Sequence, residues 1–187
     1  MYETVAPWIP ASPRVAVVGQ SPGREEAARH RPFIGPAGQQ QRTWLRTVGL
    51  NPDDDVMYTN VHDLFHPDDH AYKPTAKECK EGYERVREEL ASVPSLRAGL
   101  LVGTVAAHMM FKGGMAEMHG RQGELDGLRV YAVYHPSFYL RQHSFKRRAE
   151  IETEVLNVLV EVVRGLDGSA PELVLPEPVY VEGVVIS

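Results

Sequence analysis

Four short aliphatic runs, each leading into a stretch of helical spacing, constrain this chain more than any other feature. Residues 14–18, 56–61, 98–102 and 129–134 are rich in Val, Leu, Ala and Tyr. They are too short for buried helices and read as buried strands. Between them lie helical stretches. Residues 37–48 put Trp44, Leu45 and Val48 on one face, with Gly49 as a stop. Pro74 and Thr75 open a charged helix to about Ala91, and Gly103 and Thr104 start a small helix through Phe111. Residues 146–164 place Ile151, Val155, Leu159 and Val162 at helical spacing. Residues 20–35 read as a Gly- and Pro-rich loop, 62–73 as a polar loop and 120–127 as a turn region. The alternation predicts an α/β fold: a three-layer sandwich with a mostly parallel central sheet and helices on both faces. Ligands in such sheets sit at the carboxyl ends of the strands. The chemically distinctive segments fall there, after Val18, after Thr59 and after Tyr134.

At 187 residues the chain has room for one domain with a sizeable core. A formal net charge of −5 argues against a segment that coats nucleic acid non-specifically, while leaving room for a local basic face. The single cysteine, Cys79, excludes an internal disulfide and a four-cysteine metal site supplied by one chain. Met1 to Pro13 show no signal-peptide pattern, and no apolar run approaches the ~18 residues of a membrane span. The expected setting is cytoplasmic, without membrane contact. Pro171, Pro176 and Pro178 punctuate a Val-rich end, which divides the chain into a domain over 1–166 and an extended tail over 167–187. Such a tail either lies along the domain or gives a strand to a partner or a second copy.

Three segments carry chemistry. The first is Gly19-Gln20-Ser21-Pro22-Gly23-Arg24-Glu25-Glu26, continuing to Arg31-Pro32-Phe33-Ile34-Gly35-Pro36-Ala37-Gly38. The second is Tyr58-Thr59-Asn60-Val61, and the third His135-Pro136-Ser137-Phe138-Tyr139-Leu140-Arg141. In this order and spacing they resemble the uracil-DNA glycosylase superfamily, most of all its family-four branch, over roughly residues 14–164. The resemblance implies a DNA glycosylase that flips one base out of the stack and hydrolyses its N-glycosidic bond, because that bond is unreachable inside a duplex. It implies base contacts from Gly19, Ser21, Phe33, Asn60 and His135. Phe33 would be the flat stacking wall, Asn60 the amide that both donates and accepts, and His135 the donor where charge develops as the base leaves. Leu140 resembles a wedge that fills the vacated space, and Arg141 a phosphate contact. Ser137, Lys146 and Arg147 extend that DNA-facing patch. Catalysis would fall to Gln20, Asn60 and His135, with DNA carrying a damaged or modified base as partner and no cofactor required.

Two departures from the pattern qualify the activity. The family-four branch has glutamate where this chain has Gln20, and other branches have Asp or Asn where it has Ser21. An amide can hold the attacking water but cannot take its proton. That leaves two further readings: a catalytically weakened member serving as a DNA- or base-binding module, and an enzyme of free nucleosides or nucleotides. The branch also usually carries an iron–sulfur cluster; two of its cysteines would fall at Leu64 and Gly82, and the cysteine pair near the N-terminus is missing as well. The loop residues His62, Asp63, His66, Asp68, Asp69 and His70 match no standard metal spacing and read as a solvated polar loop. Glu25 and Glu26 read as solvated loop charges.

Overall fold

A computed structural model describes residues 3–67, 72–167, 180–181 and 184–185. In chain order the elements are β1 (Glu3–Thr4), β2 (Val15–Gly19), α1 (Arg24–Arg29), α2 (Pro36–Thr47), β3 (Val56–Asn60), β4 (Leu64–Phe65), α3 (Ala76–Ala91) and β5 (Ala98–Val102). They continue with α4 (Thr104–Ala107), α5 (Met115–Met118), β6 (Gln122–Leu125), β7 (Leu128–Val133), α6 (Pro136–Leu140), α7 (Phe145–Asp167), β8 (Tyr180–Val181) and β9 (Val184–Val185).

Every residue of β2, β3 and β5 is buried, as strands covered on both faces must be. They form a five-stranded sheet in the order β3-β2-β5-β7-β6, parallel except for the antiparallel edge strand β6. The pleat splits their side chains between two cores. Val15, Val17, Leu100 and Val133 meet Trp44 of α2 and Ile151, Val155 and Leu159 of α7. Ala16, Val18, Leu101 and Ala132 meet Val86 of α3, Ala107 of α4 and Met118 of α5. The expected α/β sandwich is therefore the fold. From β2 the chain steps to β3 on one side, then crosses to β5 on the other. That reversal opens a crevice at the carboxyl ends. Register completes the arrangement: Gly19 lies opposite Asn60, and Val102 opposite Val133, so Gly103 and His135 leave the sheet at the same edge.

The structure departs from the sequence reading in four places. The turn region over 120–127 contains β6, a mostly solvent-facing strand joined to β7 through Asp126 (φ +50°) and Gly127 (φ +84°). Two consecutive positive φ angles make a tight hairpin turn. The loop over 20–35 contains α1, and the polar loop after β3 contains β4, paired with β1. The small helix ends at Ala107 rather than Phe111. Helix α7 starts where Ser144 Oγ accepts from Arg147 N at 3.2 Å. Apart from Asp167 and the antiparallel pair β8–β9, the tail expected over 167–187 lies outside the described residues, as do Asp68, Asp69 and His70. Among the described residues no helix is long and apolar enough to cross a membrane.

Candidate functional site

The carboxyl ends of β2 and β3 and the segment after β7 enclose a cavity of about 300 Å³, lined by Ser21, Gly23, Glu26, Phe33, Gly35, Asn60 and His135 among others. That volume is at the small end of ligand sites. Phe33 is 7% exposed, its ring tilted against Tyr58 with centroids 5.4 Å apart, so it belongs to the core and the cavity wall together. Gly19 lies between two of the wall residues. A Cβ there would lie 2.6 Å from both the Phe33 ring and the Asn60 side-chain oxygen. Only glycine lets Phe33 and Asn60 come this close to the strand end.

Phe33 adopts φ +56°, a left-handed conformation that costs a bulky residue about 1–3 kcal/mol. Three devices hold it. The buried Arg42 donates from Nε to Phe33 O at 2.9 Å and from Nη1 to Asp53 at 2.8 Å. Gly38 leaves space for the Phe33 carbonyl, which any Cβ at that position would overlap. Glu26 accepts from Ile34 N at 3.0 Å, Gly35 N at 2.7 Å and Gly23 N at 3.2 Å. At 9% exposure Glu26 is thus no solvated loop charge, as the sequence had suggested; it ties the two halves of the cavity loop together. Charge-assisted bonds of this kind contribute about 1.5–3 kcal/mol each, enough to outweigh the left-handed Phe33. Glu26→Gln puts an NH2 where an acceptor is needed. It is expected to lower stability by about 1–3 kcal/mol, read as a lower denaturant midpoint. An unchanged midpoint would show that these bonds contribute nothing.

Asn60 is 6% exposed and lines the cavity, and among the described residues its side-chain amide has no hydrogen-bond partner. His135 caps α6: its Nδ1 accepts from Ser137 N at 3.1 Å and lies 2.7 Å from Ser137 Oγ. Arg141 Nη1 donates to that same Oγ at 3.0 Å. A backbone N–H can only donate, so Nδ1 carries no proton and the neutral ring keeps its proton on Nε2. Burial pulls the His135 pKa down to about 4; Arg141 acts in the same direction and Glu26 opposes it. Between the ordinary histidine value and pH 4 the unfolded chain therefore binds the extra proton and the folded one does not, so His135 removes stability as pH falls through that window. In 15N NMR at pH 5.5 the ring is expected to remain neutral with its proton on Nε2. A ring protonated at that pH would refute the assignment.

A second depression of about 710 Å³ opens beside the cavity and shares Ser21 and His135 with it. Gln20 lines this groove rather than the cavity, and its side chain has no hydrogen-bond partner among the described residues. Ser137, Arg141 and Arg147 line it too, joined by Lys73, Thr104 and Met115, which the sequence reading did not single out. Arg147 also pairs with Glu150 at 3.1 Å and Glu154 at 3.7 Å. Lys146 is exposed at the start of α7 and lines neither space. Leu140 ends α6 half-buried, its carbonyl accepting from Arg148 Nη2 at 3.0 Å. Gly19, Ser21, Phe33, Asn60 and His135 are thus brought together around the cavity, while Gln20 and the basic residues stand on its groove side. The arrangement offers a flat apolar wall, one amide without a partner among the described residues and one neutral N–H donor around a space of about 300 Å³, with cations alongside.

An iron–sulfur cluster does not fit these residues. Cys79 is the chain's one cysteine; its Sγ lies 3.9 Å from Pro74 O. At two of the positions where the resemblance implies cluster cysteines stand Leu64 and Gly82, and no cysteine pair stands near the N-terminus. A Cβ at Gly82 would overlap the Val61 carbonyl oxygen, so even a cysteine there has no room.

Over residues 6–159 the chain matches the family profile of the Uracil DNA glycosylase superfamily. It is 28% identical over 156 residues to the type-4 uracil-DNA glycosylase of Archaeoglobus fulgidus, a match covering 78% of this chain and 76% of that protein. The type-4 uracil-DNA glycosylase of Thermotoga maritima is 28% identical over 141 residues, 72% of this chain and 70% of the relative. A DNA polymerase of Bacillus phage SP01 is 25% identical over 165 residues; the chain spans 87% of its own length in that match and only 17% of the polymerase.

Proposed function

The chain belongs to the uracil DNA glycosylase superfamily, and from that premise we propose that it hydrolyses the N-glycosidic bond of uracil, or a related deaminated or modified base, in DNA. The observation that carries this reading is that the Asn60 amide, without a partner among the described residues, and the neutral His135 ring line one cavity walled by Phe33. An amide presents a donor and an acceptor to a pyrimidine edge. A neutral N–H donor stabilises negative charge arising on the departing base. The groove beside the cavity, with Lys73, Arg141 and Arg147, suits the phosphates flanking a flipped nucleotide. Leu140 and Lys146 extend that patch on the neighbouring turn and helix start, and Gln20 stands on the groove side, where a water would approach the sugar. The base choice, single-base hydrolysis without strand cleavage, and the DNA contacts of Ser137, Leu140, Arg141, Lys146 and Arg147 are part of the proposal.

One observation favours a second reading, a weakened member that binds the base without efficient turnover: Gln20 carries an amide where the family-four branch has a carboxylate. The test uses end-labelled DNA with one uracil, single-stranded or opposite G or A, followed by alkali cleavage of abasic sites. Breaks at the uracil position support the glycosylase. Intact DNA that is nevertheless bound at the uracil supports the binding module. Release from free deoxyuridine at the same rate as from DNA, with no dependence on salt, would remove DNA as the partner.

A further inference from the structure

The segment that carries Asn60 is gripped from two sides, and one grip comes from a residue outside both the cavity and the groove. Strand β3 lies at the edge of the sheet, so among the described residues its outer side has no neighbouring strand beyond the Trp8–Tyr58 bridge. Arg85 of α3 fills that role. Its Nη2 donates to Asn60 O at 2.7 Å and to Val61 O at 2.9 Å. Its Nη1 pairs with Glu89, which also accepts from Thr59 Oγ1 at 2.5 Å. On the inner side Val61 N donates to Gly19 O at 2.9 Å and His62 N to Gln20 O at 2.8 Å. Gly82, one turn before Arg85 on the same helix, lets the α3 backbone come directly against the Val61 carbonyl. Helix, Asn60 segment and Gln20 segment thus form one hydrogen-bonded stack.

We infer that Arg85 is a positioning residue of the base pocket: its bonds to the Asn60 and Val61 carbonyls set where the Asn60 amide and the Gln20 segment stand relative to each other. The inference rests on the reading of Asn60 and Gln20 given under Proposed function. A guanidinium is suited to this because its fixed fork reaches two adjacent carbonyls while pairing with a carboxylate; an ammonium has no such planar fork. A misplacement of about 1 Å in a reacting group lowers rate about 10²-fold, so a loosened Asn60 segment acts on turnover.

The experiment compares the full chain with Arg85→Lys and Arg85→Met, measuring kcat and KM per folded molecule on uracil DNA and amide hydrogen exchange at Val61 and His62. For Arg85→Met we expect kcat to fall about 10- to 100-fold with KM within about twofold, since Arg85 touches neither the cavity nor the groove. Arg85→Lys should recover part of the loss. Exchange at Val61 and His62 should quicken at least about tenfold, with β5 amides unchanged. If kcat per folded molecule stays within twofold, or if Val61 and His62 exchange as before, Arg85 is merely structural and the inference falls. Should the wild type turn over no DNA substrate, the glycosylase reading fails on its own, and the exchange comparison alone decides for or against Arg85.

Discussion

With uracil-containing DNA as substrate, His135→Ala is expected to lower the single-turnover rate about 10²–10³-fold while changing DNA affinity little. The magnitude is that of removing one preorganised donor from a site where negative charge develops. The geometry explains why so much rests on one ring. Ser137 N holds the Nδ1 lone pair at 3.1 Å, which fixes both the tautomer and the rotamer, so the Nε2 donor is in place before the reaction begins. Burial keeps the ring neutral, so no proton must leave it at pH 7. His135→Gln is the informative companion, since it restores an N–H donor without the fixed ring. A rate between those of His135→Ala and the wild type would assign the effect to donation. Asn60→Ala should lower the rate too, with a larger share in base selectivity because its amide reads an edge. If His135→Ala retains the wild-type rate, the donor is elsewhere and His135 serves only to cap α6.

How much of this was readable from the chain varies by residue type. The strands were legible because burial on both faces leaves uninterrupted aliphatic runs, and α7 because Ile151, Val155 and Leu159 repeat at helical spacing. Strand β6 was missed because an edge strand with exposed Gln122 and Glu124 carries no apolar run. Yet its signal was present: Asp126-Gly127 between two extended segments is a hairpin turn in the making. The cavity residues were legible as motifs. Their supports were not, since Glu26, Arg42 and Arg85 are charged residues whose burial depends on backbone groups distant in sequence. Glu26 reaches Ile34 and Gly35 across eight and nine residues, and Arg85 reaches Asn60 across 25. One sign was available for Glu26: it stands three residues after Gly23, the spacing at which a glutamate turns back to cap its own helix. For Arg85 no local pattern distinguishes it from the other charges of α3.

Gln20→Glu is expected to raise the rate of uracil release about 10²-fold, the lower end of what a positioned general base contributes. The two side chains are nearly isosteric, and Gln20 is half-buried on the groove side with its amide unpartnered among the described residues, so a carboxylate occupies the same space without breaking a bond seen there. Its backbone stays tied through the bond from His62 N to Gln20 O. The cations along that groove, Lys73, Arg141 and Arg147, favour the ionised form, which is the form that accepts a proton from water and offsets positive charge on the sugar. The pH profile carries the diagnosis. A general base must be ionised, and the cations hold its pKa below the ordinary glutamate value of about 4.3, so the gain should be full at pH 7 and fade only as pH falls below that value. A constant advantage across that range would point to electrostatic stabilisation by something other than this carboxylate. No gain at pH 7, with the dependence on His135 intact, would mean that the wild-type amide already holds the water well enough for base departure to set the rate. The chain would then be a glycosylase whose speed is governed by the His135 and Asn60 side of the pocket, and its glutamine a different solution rather than a defect.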